Sequence, residues 1–137
     1  MNNKKFKILS IDGGGIKGVF PAMFLMLLED ELKNRSDGKT KIHQHFDLIT
    51  GTSTGGIIAI ALALGIPAKE IYHLYLDNAK SIFGNKRSFL FGQIRSSAHE
   101  RNHLETLVRN KFKEANGAVE PRLKDCKTHV CIPIYDL

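Results

Sequence analysis

The segment Phe46–Gly65, FDLITGTSTGGIIAIALALG, decides the fold. A short apolar strand over Phe46–Thr50 leads into the motif GTSTG, and an apolar helix then runs to Leu64. G-x-S-x-G between a strand and a helix is typical of a nucleophile elbow, a sharp turn that lifts the serine hydroxyl out of the backbone. So sharp a turn needs neighbours without side chains, which explains the glycines two residues before and two residues after the serine. The pattern therefore predicts that Ser53, whose hydroxyl this turn exposes, is a catalytic nucleophile. The other elbow residues are Gly51, Thr52, Thr54 and Gly55.

A second glycine-rich turn, DGGGIKG at residues 12–18, follows a predicted strand at Phe6–Ile11 and precedes a predicted helix at Val19–Lys33. It matches the dinucleotide-binding pattern G-x-G-x-x-G, but the acidic residue expected about twenty positions later, at the end of a second strand, is missing. Upstream of a nucleophile elbow, the turn is better suited to an oxyanion hole, because backbone amides approach a tetrahedral intermediate closely only where side chains are absent. The predicted donors are the amides of Gly13, Gly14 and Gly15 and the Thr54 amide at the start of the next helix.

The predicted elements follow the order β-α-β-α-α-α-β, which indicates a mainly parallel sheet with helices on its faces. The first strand hardly alternates, which predicts burial on both of its faces, and the first helix is apolar nearly all round, which predicts burial against the sheet. Pro67 is predicted to start a later helix and Asn102 to cap the last one. The segment Val130–Ile134 alternates like a strand, and Pro133 confines that strand to an edge or a bulge.

Length and charge restrict the class of protein. The 137 residues form one domain at most, and their net charge of +6 suits an anionic membrane surface or a nucleic acid. No nucleic-acid motif accompanies the charge, so no nucleic-acid partner is expected. No apolar run is long enough to span a membrane and no signal peptide is evident, which predicts a cytoplasmic protein. The segment Phe89–Phe91, between Arg87 and Arg95, is the candidate for peripheral membrane contact, with a buried loop anchor as the alternative.

A zinc site is not expected, although His99–His103 reads H-E-x-x-H. The predicted cap at Asn102 leaves His99 outside the helix, and no third ligand follows in a suitable context. No other cofactor is indicated, and two cysteines do not suggest a disulfide framework. The remaining weak metal-ligand sets are His43 with His45, and Cys126 with His129 and Cys131.

The paired motifs, DGGGIKG at 12–18 and GTSTGG at 51–56, resemble those of the patatin-like phospholipase family, and the similarity covers most of the chain. The resemblance implies a three-layer α/β/α sandwich with a mainly parallel central sheet. It also implies hydrolysis of acyl esters, often in membrane phospholipids, by a Ser–Asp dyad without a metal or a cofactor. Ser53 would be the nucleophile, the turn that ends at Gly18 would bind the oxyanion, and Lys17 would lie near the negative substrate. Bacterial members of the family include effectors activated by cyclic nucleotides.

One part of the family pattern is missing. The general base in the family is an aspartate in a later Asp-Gly-Gly or Asp-Gly-Ala motif, whereas Asp-Gly occurs here only at residues 12–13 and 37–38. The chain is therefore expected to be the N-terminal portion, residues 1–137, of a single apparently truncated domain, with the base beyond Leu137. Such a chain is expected to be a poor catalyst alone, because a serine without its base is a weak nucleophile. The alternative is a patatin-like lipid-binding or scaffold module that lacks catalytic activity.

Overall fold

The computed structural model describes residues 5–35, 41–78 and 98–134, in which a parallel sheet has helices on both sides. The strands, in sheet order, are β1 (Ile8–Ile11), β2 (Leu48–Gly51) and β3 (His129–Cys131). The helices are α1 (Val19–Arg35), α2 (Thr54–Ala63), α3 (Ala68–Asp77) and α4 (Ala98–Ala115). Short 3₁₀ turns cover Gly15–Gly18, Ile42–Gln44 and Leu123–Asp125. The predicted α/β fold with a parallel sheet is confirmed.

The register of the sheet places the two glycine-rich turns side by side. In the parallel pair β1–β2, Ile8 is opposite Leu48 and Ile11 is opposite Gly51. Because the two strands end level with each other, the chain leaves both of them at the same edge of the sheet. Parallel α/β proteins bind their ligands at this carboxyl edge.

Helix α2 lies at the centre of the core. Nearly all of its residues are apolar and most are buried, as expected for a helix that is covered on almost every side. Glycine and alanine occupy many of its positions, so the backbones of neighbouring elements can approach closely. The core side chains packed with it include Ile11, Ile49, Ala22, Leu25, Ile71 and Tyr75.

A buried carboxylate joins α1 to the elements that follow it. The side chain of Glu29 is 1% exposed and accepts hydrogen bonds from the amide of Ala68 at 2.9 Å and the amide of Ile42 at 3.4 Å. Ala68 is the first residue of α3, and the amides of a helix's first turn have no acceptor within the helix. The negative charge of Glu29 therefore also faces the positive end of the α3 dipole. Lys33 adds an ion pair at 3.5 Å.

The burial prediction for the first strand is wrong, and the first helix is buried along one side only. Ile8 is 56% exposed, because α2 packs against the carboxyl end of β1 near Ile11 and leaves the start of the strand uncovered. Helix α1 packs mainly against α3 and buries only one stripe, which includes Ala22, Leu25 and Glu29. Among the described residues, nothing covers its opposite face, where Phe20, Phe24 and Leu27 are exposed.

Two predicted boundaries also move. Helix α4 begins at Ala98, so Asn102 lies within the helix and does not cap it. The four residues from Ala98 to Arg101 include good helix formers, which explains the earlier start. β3 ends at Cys131, before Pro133, and pairs only with β2 among the described residues, which is the edge position that proline predicts. The segment Phe89–Phe91 lies outside the described residues.

Within the described ranges, no helix is both long enough and apolar enough to cross a membrane.

Candidate active site

Ser53 occupies a strained backbone conformation between β2 and α2. Its φ and ψ angles are 52° and −125°, and it precedes Thr54, the first residue of α2. Positive φ is uncommon for a residue with a side chain and costs about 1–3 kcal/mol, which the surrounding structure must offset. In the described ranges, only Ala118 shares this property with Ser53 among non-glycine residues. The residue is exposed, so the hydroxyl is accessible at the top of the sheet.

The elbow glycines are required by contacts between backbones. A Cβ atom on Gly51 would overlap the backbone of Gly55 and would lie 2.8 Å from the carbonyl oxygen of Ile11. A Cβ atom on Gly55 would overlap that same carbonyl oxygen and would lie 2.9 Å from its carbon. No side chain fits at either position, since the atoms in the way belong to the backbone of the sheet and of the turn. The close packing of α2 against β1 therefore depends on both glycines.

The glycine-rich turn contacts the elbow directly. A Cβ atom on Gly13 would overlap the carbonyl oxygen of Thr52 and would lie 2.9 Å from the Cβ atom of Ser53. The Gly13 amide donates to Thr52 Oγ1 at 3.3 Å, and the Gly14 amide donates to Thr54 Oγ1 at 3.2 Å. The structure thus brings together the two motifs that the sequence singled out.

The remaining amides of the two turns supply hydrogen-bond donors. The first amides of any helix have no hydrogen-bond acceptor within that helix. The amide of Gly15, which begins its 3₁₀ turn, and the amide of Thr54, which begins α2, are donors of this kind. The amino end of α2 also carries partial positive charge, which favours an anion beside Ser53. Lys17 is exposed in the same turn, and a Cβ atom on Gly18 would lie 3.0 Å from Thr54 Oγ1.

Sequence reasoning missed a third participant, Tyr75 in α3. Its side chain is fully buried, and its hydroxyl donates a hydrogen bond to the carbonyl oxygen of Thr54 at 3.2 Å. Burial raises the pKa of the Tyr75 phenol well above its usual value, so the group stays protonated and remains a donor. The sequence places this tyrosine on an apolar stripe, which indicates burial. Because a buried tyrosine hydroxyl usually requires a hydrogen-bond partner, the stripe was the one sign in the sequence that Tyr75 makes a polar contact.

An open, largely apolar groove lies beside α2. Ile57 of α2, four residues after Ser53, forms one wall of the groove. The volume of the groove is about 420 Å³. Three apolar side chains of α4 form the opposite wall. At the rim, Arg109 pairs with Glu120 at 3.1 Å. The groove is lined by Ile57, Leu104, Val108 and Phe112, with Glu105, Arg109 and Glu120 at its polar positions.

Among the residues that the structure describes, no group of three His, Cys, Asp or Glu residues could hold a metal ion. His129 Nδ1 lies 3.0 Å from the carbonyl oxygen of Asp47, within hydrogen-bonding distance of the backbone. Burial, assisted by the charge of Asp125, raises the pKa of the Cys126 thiol, which keeps it protonated.

Comparison with known proteins adds an independent result. The family described as patatin-like phospholipase matches residues 9–129. Patatin-like protein 1 of Oryza sativa subsp. indica is 35% identical over 141 residues, which cover 98% of this chain and 33% of the relative. A cGAMP-activated phospholipase of Escherichia coli (strain TW11681) is 33% identical over 144 residues, covering 100% of this chain and 38% of the relative. The chain thus spans about a third of the length of these relatives.

Proposed function

Because the chain belongs to the patatin-like phospholipase family, we propose that it is the N-terminal portion of a serine hydrolase that cleaves acyl esters of lipids. The observation that carries the proposal is the conformation of Ser53. A strained serine stands at the amino end of a buried helix, and a glycine-rich turn touches it from the neighbouring strand. This arrangement suits acyl transfer, because it combines an accessible hydroxyl with several backbone donors.

In the proposed reaction, Ser53 Oγ attacks the ester carbonyl carbon, and the carbonyl electron pair moves to the oxygen. The resulting oxyanion accepts hydrogen bonds from the Gly15 and Thr54 amides, which have no helical acceptor to give up. The amides of Gly13 and Gly14 already donate to Thr52 Oγ1 and Thr54 Oγ1 at 3.3 and 3.2 Å, so in this proposal they hold the turn against the elbow rather than bind the oxyanion. The general base takes the Ser53 hydroxyl proton during the attack and gives it to the alcohol oxygen as the ester C–O bond breaks. Water, deprotonated by the same base, then attacks the acyl-enzyme carbonyl carbon, and the fatty acid leaves as Ser53 Oγ regains a proton. A single donor of this kind contributes about 3 kcal/mol to the transition state.

The general base in this proposal is an aspartate outside the 137 residues. The chain covers about a third of the length of its relatives, and Asp-Gly occurs only before the elbow. We therefore assign residues 1–137 to one domain that is completed by further sequence. That sequence would supply the second member of the dyad.

Two features support a lipid ester as the substrate. The apolar groove is lined by Ile57, which lies four residues after Ser53 in the chain, and we propose it as the binding site of the acyl chain. Lys17 and the net charge of +6 suit an anionic headgroup and peripheral contact with an anionic membrane.

A fluorophosphonate probe tests the proposal directly. The protein is prepared with its sequence extended past Leu137 to the length of its relatives, and the labelled peptide is identified by mass spectrometry. We expect labelling at Ser53, loss of labelling in Ser53→Ala, and normal labelling in Ser10→Ala, which removes another exposed serine hydroxyl. An unlabelled Ser53 in a folded protein would refute the hydrolase proposal. Binding to lipid vesicles under that outcome would favour the non-catalytic module instead.

A further inference from the structure

We propose that Tyr75 is a positioning residue, which holds Thr54 so that the nucleophile elbow and the glycine-rich turn stay aligned. The inference rests on the proposed acyl-transfer function. It adds to that function a residue from a third element of the fold, α3, which the two sequence motifs do not include. Tyr75 does not touch the reacting atoms in this proposal and acts only through Thr54.

Thr54 is the residue on which the parts of the site converge. It is 5% exposed and follows the nucleophile directly. Its side-chain oxygen accepts the hydrogen bond from the Gly14 amide, and a Cβ atom on Gly18 would lie 3.0 Å from that oxygen. The beginning and the end of the glycine-rich turn therefore both lie against one threonine. A shift of Thr54 would move its own amide, the preceding Ser53 and the turn together.

Tyr75 fixes the third side of Thr54. Its hydroxyl reaches the Thr54 carbonyl oxygen at 3.2 Å from a ring that is 0% exposed, so the packing of α3 holds the donor in place. The first carbonyl of α2 is also the regular acceptor for the amide four residues later. Hence the tyrosine hydroxyl is an additional donor to a carbonyl that the helix already pairs. Its effect on Thr54 is to set the orientation of the first turn of α2.

The competing explanation is that the hydrogen bond only satisfies a buried tyrosine hydroxyl. Both explanations predict some loss of stability when the hydroxyl is removed. Only the positioning role predicts a slower reaction in molecules that are fully folded. The separating measurement is therefore the rate constant of the folded enzyme, taken well below the unfolding temperature of every variant.

The experiment compares Tyr75→Phe with Tyr72→Phe in the extended protein. Tyr72 lies on the same helix, three residues earlier, and is partly exposed. Its variant removes a phenol hydroxyl of α3 that has no hydrogen bond to the elbow within the described ranges. For Tyr75→Phe we expect kcat and the rate of fluorophosphonate labelling to fall about tenfold with KM unchanged. That is less than the roughly hundredfold cost of moving a reacting group by about 1 Å. For Tyr72→Phe we expect no more than about a twofold change.

A double-mutant cycle checks the route through Thr54. Thr54→Val removes the acceptor of the Gly14 amide, and Thr54→Ser restores it. If Tyr75 acts through Thr54, the combined loss in Tyr75→Phe/Thr54→Val is smaller than the product of the single losses, and Thr54→Ser recovers most of the rate. Hydrogen exchange of the Gly14 amide, measured by NMR, should accelerate in both single variants, and this readout needs no catalysis.

Each outcome decides the question. Normal kcat and normal Gly14 exchange in Tyr75→Phe would overturn the positioning role while the hydrolase proposal stands. If wild-type Ser53 is not labelled at all, the hydrolase proposal fails and the positioning role for the reaction fails with it. Faster Gly14 exchange together with reduced kcat supports both.

Discussion

Replacing Gly55 by alanine tests the steric basis of the elbow separately from any chemistry. Gly55 is the second residue of α2, where alanine would ordinarily stabilise the helix by about 1 kcal/mol. The new Cβ atom would, however, overlap the carbonyl oxygen of Ile11 and lie 2.9 Å from its carbon. Those are backbone atoms of β1, so relief requires α2 and the sheet to separate. We expect the clash to exceed the helical gain and the free energy of unfolding to fall by about 3 kcal/mol, at the upper end of overpacking costs.

The adjacent glycine provides a matched control. A Cβ atom on Gly56 would lie 3.2 Å from the carbonyl oxygen of Gly51 and 3.4 Å from Ile132 Cγ2, distances that small shifts can accommodate. Gly56→Ala should therefore change the free energy of unfolding by less than about 1 kcal/mol. Urea unfolding of the extended protein gives both values by linear extrapolation. If the two variants were equally stable, the close approach of α2 to β1 would be wrong, and with it the reason for glycine at position 55.

Two further predictions concern substrate choice and pH. Val108→Trp should fill part of the apolar groove and raise the ratio of activity on butyrate esters to activity on palmitate esters about tenfold. Asn110→Trp, on the exposed side of α4, should leave that ratio unchanged. If the ratio is unchanged in both variants, the groove does not bind the substrate. Burial, followed by the charges of two neighbouring lysines and partly opposed by Glu29, lowers the pKa of His43 below its usual value of 6.5. The unfolded chain then binds this proton more readily than the folded one, so stability contributed by His43 is present above about pH 6.5 and is lost as the pH falls towards the lowered pKa. Urea unfolding at about pH 7.5 and about pH 5.5 should show a smaller acid loss for His43→Asn than for the wild type, and equal losses would contradict the shift.

The parts of the site that follow from local sterics could be predicted from the sequence. Glycine at positions 51 and 55 predicts a turn that tolerates no side chain. In the structure, backbone atoms fill the space that a Cβ atom on either glycine would occupy. The order of strands and helices follows from hydrophobic runs and turn residues, and the parallel register then brings the two turns to one edge. These features agree with the structure because each motif can be recognised from residues that are close together in the chain, although the contacts it makes are with distant residues.

The parts that depend on distant partners could not be predicted. The sequence shows that the first half of α1 is apolar nearly all round, but the position of α3 decides which stripe is buried, so Ala22 is covered and Phe24 is exposed. Likewise, 21 residues separate Thr54 from Tyr75, and no pattern in the sequence links their polar atoms. Hydrophobicity identifies residues that can be buried, whereas the assembled elements decide which of them are.

The contacts also explain why the two motifs are informative as a pair. Gly13 has no room for a side chain because the backbone of Thr52 fills the space, and Gly55 has none because the end of β1, at Ile11, fills it. Each motif therefore supplies the obstacle that makes glycine necessary in the other. A lone G-x-G-x-x-G turn or a lone G-x-S-x-G pentapeptide is compatible with many loops. When both motifs occur at the ends of adjacent parallel strands, they indicate the arrangement seen here, in which the two turns contact each other through their backbones. A substitution in either motif should consequently disturb the backbone of the other before it disturbs any substrate, and stability and labelling of Ser53 should fall together at these positions.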